Sequence, residues 1–157
     1  MAPSRRVAPP GVSRVKAIKI GMVEVAASPN QEAEDRMKTI LVVDNSYSTL
    51  LLLKEELAEA GYEVLTTESG QEALEVLNNP AETIDLVITN LRHAGLDMLD
   101  FIWLMHKTWP DLPIICHSAL SKYKDLPIEE RPFDDFVDKS SDLTKLKDSV
   151  DRLIGNN

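Results

Sequence analysis

From residue 38 onward the chain alternates between short continuous apolar runs and longer stretches whose apolar residues recur every three or four positions. The first pattern marks a strand buried on both faces, the second a helix with one buried stripe. "TILVVD" (39–44) predicts a strand, and "SYSTLLLLKEELAEAG" (46–61) a helix that buries Leu50, Leu53 and Leu57. Ser46 or Ser48 can cap that helix, and Gly61 ends it. "YEVLTTE" (62–68) reads as a second strand. "SGQEALEVLNNP" (69–80) reads as a helix with Ala73, Leu74 and Leu77 inward and Pro80 past its end. "IDLVITN" (84–90) is a third strand and "LDMLDFIWLMHKTW" (96–109) a third helix. "LPIICHSA" (112–119) is the fourth strand and "FDDFVDK" (133–139) a short fifth. "SDLTKLKDSVDRLIG" (141–155) closes the pattern as an amphipathic helix on Leu143, Leu146, Val150 and Leu153.

Apolar strands alternating with helices imply a parallel sheet covered on both faces. Five such strands with short connections predict an α/β, doubly wound, flavodoxin-like sheet of order 2-1-3-4-5. Ligands of these sheets sit beyond the carboxyl ends of the strands, where the order reverses. The residues at those ends are Asp44 with Asn45, Asn90, Ser118 and Lys139.

The first 36 residues break the pattern. "MAPSRRVAPPG" is proline-rich, "VKAIKIGMVEVA" carries alternation enough for one strand, and "ASPNQEAEDR" is polar linker. Residues 1–36 are therefore expected to be a disordered basic extension, and residues 37–157 the domain. Met37 stands directly before the first strand, so one reading makes it the biological start. The native mass tests that reading.

Charge sharpens the division. The chain carries −9 overall, yet residues 1–37 hold six Lys/Arg against four Asp/Glu, and residues 38–157 hold eleven against twenty-two. An acidic body repels a phosphate backbone, which argues against direct nucleic-acid binding. No apolar run reaches the roughly 18 residues of a membrane span. The lone Cys116 permits no internal disulfide and fits a reducing, cytoplasmic setting. His93, His106 and His117 together with Cys116 match no zinc spacing. His117 is expected to be packed or at the rim, Cys116 in the core, and Trp103 and Trp109 in packing roles.

The segments "ILVVDN", "DLVITNLRHAGLDMLDFI", "PIICHSAL" and "FDDFVDKSS", in this order and spacing, resemble the receiver domain of response regulators in two-component signalling. The likeness covers about residues 38–155. It implies Mg²⁺ held by an acidic pair after the first strand and an aspartate after the third that takes a phosphoryl group from a histidine kinase. It also implies a hydroxyl after the fourth strand and a lysine after the fifth that respond to phosphate. On this chain the acidic pair falls on Asp44 and Asn45, the phosphoacceptor on Asn90, the hydroxyl on Ser118 and the lysine on Lys139. Phe136 falls on the switch aromatic.

Two of those positions depart from the family. An amide is uncharged and its lone pair is delocalised, so Asn90 is not a nucleophile for phosphoryl transfer. Mg²⁺ requires hard anionic oxygens. At an effective dielectric of about 20, a carboxylate lost at about 4 Å removes roughly 4 kcal/mol per unit cation charge. Asn45 and Asn90 together leave Asp44 as the sole carboxylate of a weak or absent metal site. Asp44 is then expected to pair with Lys139, with Ser118 and both asparagines completing a hydrogen-bonded cluster. The loop after Asn90 is rewritten, with His93–Ala94 and Met98 at family motif positions, and Ser140 stands where a proline usually follows the lysine. Pro127 and Pro132 predict a fourth helix that is short or partly unwound, and "EERPFDD" reads as a solvated loop.

These features lead to the expectation of a stand-alone pseudo-receiver, not an enzyme, without a catalytic residue or required cofactor. It would act by contact with a histidine kinase, a scaffold or another receiver, away from membranes and nucleic acid. Oligomeric state is left open. The alternative is an active phosphotransfer receiver whose Asn90 is an engineered aspartate substitution, which the genomic codon decides. A nucleotide sensor is a third reading, but "VVDNSYS" lacks a phosphate loop's glycines.

Overall fold

A computed structural model describes residues 17–20, 23–26, 36–90, 98–119, 124–140 and 142–155. Strands β1 (Ala17–Ile20) and β2 (Val23–Ala26) pair antiparallel, with Ile18 opposite Val25 and Lys19 opposite Glu24. This corrects the single strand expected there. The apolar positions fall on one parity at Ile18, Ile20 and Met22 and on the other at Val23 and Val25, a change of phase beside Gly21 that the expectation of one strand passed over.

The main body begins with β3 (Thr39–Val43), every residue of which is buried. Helix α1 (Tyr47–Glu59) follows; Ser46 caps it by accepting the Thr49 amide. The helix ends where Gly61 takes φ +99. There the Gly61 amide donates to Ala58 O and the Tyr62 amide to Leu57 O, two bonds that close the last turn and need a residue without Cβ strain. Strand β4 (Glu63–Thr67) and helix α2 (Gly70–Asn78) come next, α2 capped by Ser69 accepting the Glu72 amide. They are followed by β5 (Leu86–Thr89), α3 (Met98–Thr108), β6 (Ile114–Ser118), β7 (Asp135–Asp138) and α4 (Thr144–Ile154).

All pairings of β3 to β7 are parallel, and the sheet order is β4-β3-β5-β6-β7. This is the 2-1-3-4-5 order expected from the alternation. Two cores lie on opposite faces because successive side chains of a strand point to opposite sides. Leu41, Val43, Val87, Ile114 and Cys116 pack against Ala73 and Leu77 of α2 and Phe101, Ile102 and Met105 of α3. Ile40, Val42, Leu86, Ile88 and Ile115 pack against Leu50, Leu53 and Leu57 of α1 and Leu146 and Val150 of α4. Trp109 is buried and Trp103 half-buried. Between β6 and β7 the described residues contain one 3₁₀ turn, Ile128–Glu130, in keeping with the two prolines. His93 and the rewritten stretch 91–97 lie outside the described residues.

At the amino ends of the strands, Asp85 is nearly closed off from solvent and ties three elements together. It accepts the Thr39 amide at 2.8 Å and the two terminal nitrogens of the Arg36 guanidinium, Nη1 and Nη2, at 2.9 and 2.8 Å. Its own amide donates to Thr39 O.

Candidate functional site

The opposite, carboxyl ends of β3, β5, β6 and β7 bring the marked residues together. Val43 pairs with Thr89, so Asp44 and Asn90 leave the sheet side by side, and the Asn90 amide donates to Val43 O at 3.1 Å. Thr89 pairs with Cys116, so Asn90 and His117 continue that row on neighbouring strands. Ser118 pairs with Asp138, and the Lys139 amide donates to Ser118 O at 3.0 Å. The Lys139 ammonium then reaches back across the row to Asp44, Nζ to Oδ2 at 2.7 Å.

That ion pair is asymmetric in burial. The Asp44 side chain is 2% exposed and that of Lys139 23%, so the lysine closes the pocket from the solvent side. The second carboxylate oxygen of Asp44 accepts the Ser46 amide at 2.9 Å, which turns the chain from β3 into the cap of α1. The turn carries Asn45 outward, where it is exposed. Asn45 is therefore not a member of the expected hydrogen-bonded cluster. Asn90 and Ser118 are both buried in the pocket wall. Phe136 is half-buried against Phe133, ring centroids 6.3 Å apart.

His117 is packed, one of the two places expected for it. It lies on the same sheet face as Ile115, is 3% exposed, and both ring nitrogens are buried without a protein hydrogen-bond partner. Burial first, and then the positive charge of Lys139, push its pKa down from 6.5 to about 4, against the opposing pull of Asp44. The imidazole is thus neutral beside the ion pair. Strand alternation could have placed it on this face, but not told that its neighbours would be the ion pair. Burial likewise raises the Cys116 thiol pKa, so it remains protonated in the core.

A metal ion fits this arrangement poorly. Among the described residues no group of three or more His, Cys, Asp or Glu could hold one. The single carboxylate present already neutralises an ammonium group.

A parallel sheet of this strand order, with its marked residues at the carboxyl ends of the strands, is the flavodoxin-like class of doubly wound α/β fold. The family model of the response regulator receiver domain matches residues 40–151, and the chain belongs to that family. The transcriptional regulatory protein GlrR of Escherichia coli is 34% identical over 116 residues, 73% of this chain and 26% of that protein. The response regulator TrrA of Thermotoga maritima, solved in complex with Mg²⁺-BeF, superposes with a TM-score of 0.69 at 37% identity, covering 75% of this chain and all of TrrA. TrrA in complex with the histidine kinase ThkA gives 0.67 at the same identity, covering 75% of this chain and 99% of that one. The chain spans about a quarter of the length of the curated relatives it matches. No helix among the described residues is long and apolar enough to cross a membrane.

Proposed function

We propose that this receiver domain signals through protein–protein contact without accepting a phosphoryl group. The carrying observation is the pocket's charge. Asn90 stands at the family's phosphoacceptor position, and Asp44 is held by Lys139 at 2.7 Å. An amide offers no anionic oxygen to attack phosphorus. A buried carboxylate already satisfied by an ammonium and a backbone amide is a poor ligand for Mg²⁺. The ion pair takes the place of phosphate as the lysine's partner, so the pocket is fixed in one state. In this reading the domain is a signalling module rather than an enzyme. Its partner is a histidine kinase, a scaffold or another receiver. The complex of TrrA with ThkA supports a kinase as one such partner.

The test is incubation of the full chain with acetyl phosphate or a kinase in the presence of Mg²⁺. No base-labile phosphoprotein is expected. Stoichiometric labelling would refute the proposal. The Asn45→Asp, Asn90→Asp double variant, assayed beside it, is expected to gain Mg²⁺ binding and labelling.

A further inference from the structure

Three of the most exposed large apolar side chains lie on α1: Tyr47 at 71%, Leu51 at 47% and Leu52 at 40%. Tyr47 and Leu51, one turn apart, flank a groove of about 370 Å³ between α1 and the β4–α2 connection. Lys54 continues the α1 wall, and Thr66, Glu68 and Glu72 form the other side. This flank is also anionic. Residues 45–82, which build α1, β4 and α2, contain eight glutamates and a single basic residue, Lys54. Glu56 pairs with Lys147 at 2.7 Å.

The chain carries a segment of the opposite character. Residues 1–16 hold Arg5, Arg6, Arg14 and Lys16, no acidic residue, and apolar side chains at Val7, Val12 and Val15. They lie outside the described residues. We propose that the α1–α2 groove is the docking site of this basic N-terminal segment, its arginines facing Glu68 and Glu72 and its apolar side chains covering Tyr47 and Leu51. Tethering favours it over a separate chain, because a short linker raises the local concentration to about the millimolar range. Reach suffices: the nine residues 27–35 can extend to about 30 Å, against about 17 Å for a five-residue strand. The segment then shields an apolar surface that any other partner of this flank must uncover.

The experiment uses the full chain with Ser4→Cys carrying a nitroxide label. Cys116 is fully buried and does not compete for the reagent. Amide NMR signals of Tyr47, Leu51, Glu68 and Glu72 are expected to lose intensity. They should regain it in raised salt, which screens exposed charges, and in the Glu68→Lys, Glu72→Lys variant. Both glutamates are exposed, so that variant keeps the fold. Unchanged signals at these four residues, or losses insensitive to salt and to the charge reversal, overturn the proposal. Isotope-labelled chain without nitroxide, mixed with nitroxide chain, separates the other occupant: losses transferred between molecules overturn docking within one chain.

Discussion

At the scale of single residues, His117 has the clearest energetic signature. A neutral imidazole buried without partners leaves a donor and an acceptor unmet, at a cost of about 1–3 kcal/mol for each such group. Its folded pKa of about 4 lies below the 6.5 of an unfolded histidine, so the unfolded chain takes up the proton first as pH falls. This contribution is therefore complete above pH 6.5 and lost progressively as pH falls towards 4. The shift corresponds to about 3 kcal/mol in all. Urea unfolding at a series of pH values should show that decline, and His117→Leu, of similar volume, should flatten it and raise stability near neutrality. A slope unchanged by the substitution would assign the decline to other groups. Asp142 acts in the same direction, over a more acidic range: hydrogen bonds from the Thr144 hydroxyl and amide hold its carboxyl below the usual range. Its support for the start of α4 is present at neutral pH and fades only in strong acid.

At the scale of elements, α1 depends on its buried stripe more than on its charges. Leu53 is fully buried between β3 and the neighbouring helical face. Leu53→Ala should cost about 3 kcal/mol, since both transfer energy and a residual cavity are lost. Chemical denaturation measures this, and a cost of about 0.5 kcal/mol or less, the range of an ordinary surface substitution, would deny α1 its place in the core. The same stripe explains why α1 was readable in advance. Leu50, Leu53 and Leu57 share one face, Ser46 caps and Gly61 stops, and each is a local feature that needs no knowledge of the fold. "TILVV" was legible for the same reason, being continuously apolar and buried throughout. The β1–β2 pairing was missed, because its sequence signal is only a change of apolar phase beside a single glycine. The Asp44–Lys139 contact joins residues far apart in sequence, and it was expected through the receiver resemblance and the missing carboxylates rather than from any local pattern. His117 needed still more, namely the identity of the atoms around it. Asn45 was misplaced because its position in the sequence motif gives no direction for its side chain; the Ser46 cap decides that.

At the scale of the whole molecule, the two ends of the sheet each hold a buried carboxylate paired with a cation. At the carboxyl ends, Lys139 reaches Asp44 at 2.7 Å. At the amino ends, Arg36 on Asp85 binds the residue before Met37 to the middle of the sheet. Arg36→Ala would leave Asp85 buried with the Thr39 amide but without its cation. We expect a loss of about 2 kcal/mol, below the cost of a fully buried pair because Arg36 remains partly exposed. Thermal unfolding of the variant, or of a chain beginning at Met37, measures it, and an unchanged midpoint would make the bidentate contact energetically idle.

The Arg36–Asp85 contact also sets a clock on biosynthesis. Its partners are 49 residues apart, so at about 5–20 residues per second the arginine leaves the ribosome roughly two to ten seconds before the aspartate. Throughout that interval β3 and β4 can pair, but nothing clamps the amino end of β3. The arrival of β5 both fills the central position of the sheet and delivers the carboxylate. Slow codons between the two residues would lengthen the time during which the half-made sheet shows an open edge to other chains.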